Sequence, residues 1–147
     1  MTEKLVFLDT SFLIASQVSK HEFFERTKYL RRNFLLKQYK ICTSSIVFDE
    51  FWYVLLGILK TQLGNDRNTI YNLIQKATEN VLSMDGLNLI NIDLNQKGLL
   101  SVLKIMYRFK LRPRDAIIIK LMKNAKIKHI ASFDKDFDKI SGILRIY

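Results

Sequence analysis

Cysteine, proline, histidine and acid are all scarce in this sequence, and each scarcity excludes something. Cys42 is the only cysteine, so neither an intrachain disulfide nor a cysteine-cluster metal site can form, and a reducing interior is expected. His21 and His129, the only histidines, show no zinc-binding spacing. With a single proline, Pro113, and five glycines, no Pro/Gly-rich linker divides the chain, and no repeat or low-complexity tract does so either. One domain over residues 1–147 is the expectation, long enough to bury a substantial core. Long apolar runs are also missing. The longest, FWYVLLGIL at 51–59, is about half of what a membrane-spanning helix needs. Asp9 interrupts the N-terminal apolar stretch, which argues against a signal peptide. The expected setting is cytoplasmic, with no membrane.

Acids number 14 against 24 lysines and arginines, a formal net charge of +10. Such a surplus suits a polyanionic partner, because Lys and Arg neutralise phosphates and release counterions. It equally suits a merely solvated surface, so charge alone decides nothing. The distribution of the few acids is more telling. Three of them alternate in SFDKDFDKI, at Asp134, Asp136 and Asp138. D-x-D-x-D opens a helix–loop–helix calcium loop, but that loop needs Gly at its sixth position and Glu at its twelfth. Counting from Asp134, those positions hold Lys139 and Arg145, so calcium is excluded.

The hydrophobic pattern places the acids on elements. LVFL (5–8) reads as a buried strand with Asp9 at its carboxyl end. A helical stretch follows over about 11–38, broken near Ser19–Lys20. KICTS (40–44) is a second strand, and Ser44 or Ser45 caps a long apolar helix to about Leu63. Residues 65–82 form an amphipathic helix, LNLINI (87–92) a third strand, and 94–109 a further helix. Pro113 suits the first turn of a helix to about Ala125. HIAS (129–132) reads as a fourth strand and ILRIY (143–147) as a fifth. Strands alternating with helices imply an α/β fold whose parallel sheet is covered on both faces, with ligands bound outside the strands' carboxyl ends.

Asp9 and Asp134 fall just past the first and fourth strands. Asp115 lies in the first turn after Pro113, and Glu50 about a turn and a half into the helix after the second strand. Singly, each has an ordinary explanation: Asp9 as a helix cap, Asp115 as a complement to the helix dipole, Glu50 as the partner of a buried arginine. Together they are harder to dismiss. Four carboxylates within about 5 Å of one another repel by roughly 3 kcal/mol per pair at an effective dielectric of 20. Such a group needs protonation or a cation, and all-oxygen ligands suit a hard ion such as Mg²⁺ or Mn²⁺. In a basic protein that combination points to phosphate ester chemistry.

In their order and spacing, LVFLDTSFLI, SSIVFDEFWYVL, RPRDAIIIKLMKNAKI and HIASFDKDFDKISGI resemble the PIN-domain nucleases, most nearly the small single-domain VapC-type toxins. The resemblance covers nearly the whole chain. It implies a three-layer α/β/α sandwich with a mainly parallel sheet of about five strands, and metal-dependent endonucleolytic cleavage of RNA. The family's acids carry over to Asp9, Glu50, Asp115 and Asp134 as catalytic and metal-holding residues, with Ser11 and Ser132 supporting. Asp49 adjoins Glu50, but on a helix the two point about 100° apart, and Glu50 matches the family's position. A small antitoxin protein and a homodimer are also implied. The apolar stretch at 51–59 serves as core helix, dimer surface or antitoxin site.

Rival readings are an RNA-processing PIN nuclease without a toxin role, a phosphotransfer fold and a non-enzymatic RNA-binding module. The phosphotransfer types want a second Asp where Ser11 stands, or an Asp directly after KICTS; the binding module leaves Glu50 unexplained. The basic run Lys104, Arg108, Lys110, Arg112 and Arg114 leads into Asp115 and is either an RNA-phosphate contact or a solvated surface. If the chain turns helical after Asp134, Asp136 faces away from it. Asp138 then returns near the same face, a turn further on, beside the site or a lysine.

Overall fold

A computed structural model describes residues 3–147. Its elements run β1 (Leu5–Leu8), α1 (Thr10–Gln17), α2 (Phe24–Leu36), β2 (Lys40–Thr43), α3 (Ser45–Leu63), α4 (Arg67–Leu82), β3 (Asn88–Leu89), α5 (Gln96–Phe109), α6 (Pro113–Asn124), β4 (His129–Ala131) and β5 (Leu144–Ile146). A short 3₁₀ turn at Lys135–Lys139 joins β4 to β5. The five strands form one sheet in the order β3-β2-β1-β4-β5, and every pairing is parallel.

That order places the site. From β1 the chain moves outward through β2 to β3, then crosses back to β4 and on to β5. Right-handed crossovers therefore put α1–α4 on one face and α5–α6 on the other. The direction reverses between β1 and β4, whose carboxyl ends flank the crevice where open parallel sheets bind ligands. β1 and β4 are the most buried strands because both faces are covered: Val6, Phe7, Leu8, Ile130 and Ala131 have no exposure. Cys42 lies in this core, where burial pushes its thiol up to about 12, so it is neither nucleophile nor metal ligand.

Local chemistry sets the element ends. Arg112 precedes a proline and is held extended (φ −66°, ψ 157°), and Pro113 opens α6 where a missing N–H does no harm. The break between α1 and α2 is a turn in which the Phe23 amide donates to His21 Nδ1, which occupies that ring nitrogen structurally. β3 is far shorter than the 87–92 expected, at two exposed residues. Ladder pairing ends where the Ile90 amide donates to the Thr43 carbonyl, and Asn91 then turns toward α3. Its Oδ1 accepts from the Ser45 amide and hydroxyl, so Asn91 caps that helix in place of the expected serine.

α3 also departs from expectation, because only part of 51–59 is core. Phe51 and Leu55 are buried, but Trp52 and Tyr53 are exposed by 43% and 74%. The stretch is therefore both core helix and apolar surface. No helix of the described residues is long and apolar enough to cross a membrane.

Candidate active site

Asp9 follows the last residue of β1 and occupies the N-cap position of α1, yet its side chain makes no capping bond. It is held across the sheet instead. Ser132 Oγ donates to Asp9 Oδ2 at 2.7 Å, and Ser11 Oγ donates to the same oxygen at 3.2 Å. The two hydroxyls lie 3.1 Å apart, and accept in turn from the Asp134 and Phe133 amides at 3.0 Å each. β-Pairing continues into this network, with the Asp9 amide donating to the Ala131 carbonyl. One cross-strand lattice thus fixes Asp9 and the backbone of Asp134 together at the switch point.

Asp9 is 4% exposed, and burial pushes its pKa up to about 6, against partial relief from the Ser132 hydroxyl. The charge of Asp115 pushes in the same direction. A shift of about 2 units is worth about 3 kcal/mol. Well below pH 3.8 the carboxyl is protonated whether folded or unfolded, and no penalty exists. Above that the folded state holds the proton more tightly, so stability falls as pH rises through about 6. In chelator, Asp9→Asn should therefore gain stability relative to wild type between pH 4.5 and 7.5, by about 2 kcal/mol. Urea unfolding of both proteins at the two pH values checks this; a difference independent of pH would contradict it.

Asp115 sits two residues after Pro113 and is also 4% exposed. Burial raises its pKa; Arg112 opposes the shift, while Asp134 and Glu50 reinforce it. Asp115 thus stands within electrostatic reach of each of the other three acids. Glu50 lines a cleft of about 370 Å³ with Arg112, Pro113, Arg114 and Asp115. Its side chain is 24% exposed, not buried in an apolar helix as its neighbours suggest, because it lies on the cleft side of α3. Asp49 next to it is 66% exposed and pairs with Arg114 at 2.6 Å. Larger hollows lie elsewhere, of about 480 Å³ between α1, α3 and α4 and about 700 Å³ along α5. Both are lined largely by aliphatic side chains and hold no acid, so they offer no comparable chemistry.

The basic residues divide. Arg112 Nε lies 3.3 Å from Asp115 Oδ2 and its Nη2 lies 3.1 Å from Asp134 Oδ2. Arg114 reaches Asp49, and Glu50 at 3.9 Å. Arg108 instead stacks over Phe109, and Lys110 ends α5 in a left-handed conformation (φ 51°); neither lines the cleft. The Arg112–Asp115 pair was legible as an i, i+3 spacing at a helix start. Its second bond, to Asp134, was not, because 22 residues separate the partners.

The acidic trio separates. Asp134 caps the 3₁₀ turn by accepting from the Asp136 amide, and Asp136 pairs with Lys139 at 2.7 Å. Asp138 grips Arg145 with two bonds of 2.8 Å, and the Arg145 Nη1 donates to the Ser132 carbonyl. The expected return of Asp138 to the face of Asp134 fails. A 3₁₀ turn advances about 120° per residue, leaving Asp138 about 120° away, and its partner is an arginine on β5 rather than a lysine. The arginine that excludes a calcium loop is the charge Asp138 answers.

A hard divalent ion suits this donor chemistry. The acids are all-oxygen, Asp9 and Asp115 are poorly solvated, and the Asp9 side chain is oriented by two hydroxyls. As the side chains stand, no three acid, imidazole or thiol groups among the described residues converge on one point. Arginine contacts hold three of the four acids.

The chain is 26% identical over 154 aligned residues to ribonuclease VapC6 of Methanocaldococcus jannaschii, with 97% of each protein covered. Its fold matches Mycobacterium tuberculosis VapC20, described as a toxin cleaving the sarcin–ricin loop, with TM-score 0.67, 18% identity, and 96% and 98% of the two chains covered. A toxin–antitoxin complex from Klebsiella pneumoniae matches at TM-score 0.58 and 18% identity, over 95% of each chain. Residues 6–143, nearly the entire sheet and its helices, match the PIN domain profile, and the chain belongs to the PIN domain family.

Proposed function

We propose that this protein is a metal-dependent endoribonuclease and the toxin of a toxin–antitoxin pair, acting as a single domain. The observation that carries the reading is that Asp115 stands within electrostatic reach of Asp9, Asp134 and Glu50 at the β1/β4 crevice of a chain with net charge +10. The family and the ribonuclease and toxin relatives support it. The fold-level likeness to a toxin–antitoxin complex from Klebsiella pneumoniae supports an antitoxin as partner. The exposed apolar side chains of α3 and α5, Trp52, Tyr53, Leu99, Leu100 and Leu103, offer surfaces for that partner and for a homodimer.

Asp9, Asp115, Glu50 and Asp134 would hold Mg²⁺ or Mn²⁺. Bound there, the ion supplies a water of lowered pKa and a counter-charge for the phosphate. Ser11 and Ser132 hold Asp9 in one orientation and so fix its free edge toward the crevice. At neutral pH Asp9 lies above its pKa of about 6, charged but poorly solvated, and so favours a cation. Glu50 and Asp115 line the same cleft, where either could orient or accept a proton from the attacking water. Arg112 and Arg114 stand at the rim, placed for RNA phosphates, whereas Arg108 and Lys110 lie outside the cleft.

Titrating Mn²⁺ against three variants, and following RNA cleavage in parallel, tests the assignment. Asp134→Asn should weaken both Mn²⁺ binding and cleavage, by about tenfold or more. Asp136→Asn, facing Lys139, should change neither. Asp138→Asn should lower thermal stability by freeing Arg145, which is buried to 4% exposure, with a smaller effect on Mn²⁺. Loss at Asp136 as large as at Asp134 would place the ligand wrongly.

A further inference from the structure

Arg112 occupies its position for structural reasons. It is the residue before Pro113, held extended, and its guanidinium is carried from the α6 end of the site to the β4 end. There it serves two acids of different elements at once, Asp115 at 3.3 Å and Asp134 at 3.1 Å. Asp115 is buried, at 6% side-chain exposure, and Asp134 half-buried, at 26%, while Arg112 is 68% exposed. Arg114 differs, since its short bond is to the solvent-facing Asp49 and it approaches Glu50 only at 3.9 Å. It can keep its partner whatever happens in the cleft.

The oxygens that Arg112 engages, Oδ2 of Asp115 and Oδ2 of Asp134, belong to side chains assigned above to a divalent ion. A carboxylate oxygen committed to a guanidinium is a poor ligand for a second cation. Arginine cannot escape by losing a proton, so it leaves as a full charge and needs another anion. At the rim of an RNA-cleaving cleft the available anion is a phosphodiester, which the planar fork fits in bidentate fashion.

We propose that Arg112 is a positioning residue that exchanges partners, clamping Asp115 to Asp134 until a divalent ion takes their oxygens and then holding the RNA backbone. Ion and RNA thereby bind cooperatively. The inference rests on the nuclease reading. It assigns to one residue two roles that a simple basic track does not have: opposing ion binding alone, and linking it to RNA binding. By reciprocity, RNA must tighten ion binding by the same factor that the ion tightens RNA binding.

The experiment compares wild type, Arg112→Gln and Arg112→Lys. Mn²⁺ affinity is measured by calorimetry, and binding of a 2′-O-methyl phosphorothioate oligonucleotide by fluorescence anisotropy with and without Mn²⁺. Neither readout needs turnover. In wild type Mn²⁺ should tighten oligonucleotide binding about tenfold, within the usual range for coupled sites. Arg112→Gln should bind Mn²⁺ several-fold more tightly and lose most of that cooperativity. Arg112→Lys retains the charge but cannot span two carboxylates as a fork, and should also gain Mn²⁺ affinity. If Arg112→Lys binds Mn²⁺ like wild type while Arg112→Gln binds it more tightly, only net charge matters and the exchange is wrong. Unchanged cooperativity in both variants overturns it alone. A wild-type protein that binds no Mn²⁺ overturns the metal reading and this inference with it.

Discussion

Asp9→Asn should reduce RNA cleavage by at least about 10³-fold, about 4 kcal/mol of barrier, and abolish growth arrest on expression. The size follows from the residue's position rather than from its charge alone. Asp9 joins the central strand to α1, at the edge where β1 and β4 diverge in connection. Ser132 and Ser11 lock it, and those hydroxyls also hold the backbone at Phe133 and Asp134. Asparagine keeps the shape and can keep a bond to Ser132, so the fold survives. What it loses is the negative charge that a cation needs. The same substitution relieves the burial penalty on Asp9, so the inactive variant is expected to be the more stable protein at neutral pH. Activity and stability should thus move in opposite directions. A variant inactive because it is unfolded would show the reverse, and urea unfolding of the assayed sample separates the two.

Much of this placement is legible in the residues, for identifiable physical reasons. Burial on both faces makes LVFL continuous in hydrophobicity, so β1 ends visibly where Asp9 begins. Pro113 marks the start of α6 because its ring fits only the first turn. Helix ends elsewhere fall within a few residues of expectation, as at Leu63, where Gly64 adopts positive φ. What is not legible depends on contacts that only the folded sheet brings together. Asn91 as the cap of Ser45, Arg145 as the partner of Asp138 and Arg112 as the bridge to Asp134 all require the folded sheet to meet. The trio fails for a local reason: a tight turn of five residues takes 3₁₀ geometry, and a 100° wheel misplaces its third acid.

The second large effect expected is a loss of cleavage when divalent ions are removed. Asp9 and Asp115 are both raised in pKa by burial, and the charges of Asp134 and Glu50 add to the repulsion on Asp115. An arginine at the rim can satisfy two of these carboxylates but cannot lower the pKa of a water, whereas a divalent ion does both. Mn²⁺ or Mg²⁺ should therefore support cleavage. Ca²⁺ should bind yet support little, since its looser coordination positions water poorly. The direct measurement is incubation of the purified protein with structured and unstructured RNA in Mn²⁺, in Ca²⁺ and in excess EDTA, beside Asp9→Asn. Internal cuts are expected in Mn²⁺, few in Ca²⁺, and none in EDTA or with the variant; full cleavage in EDTA, or by Asp9→Asn in Mn²⁺, would rule out metal-dependent cleavage at Asp9.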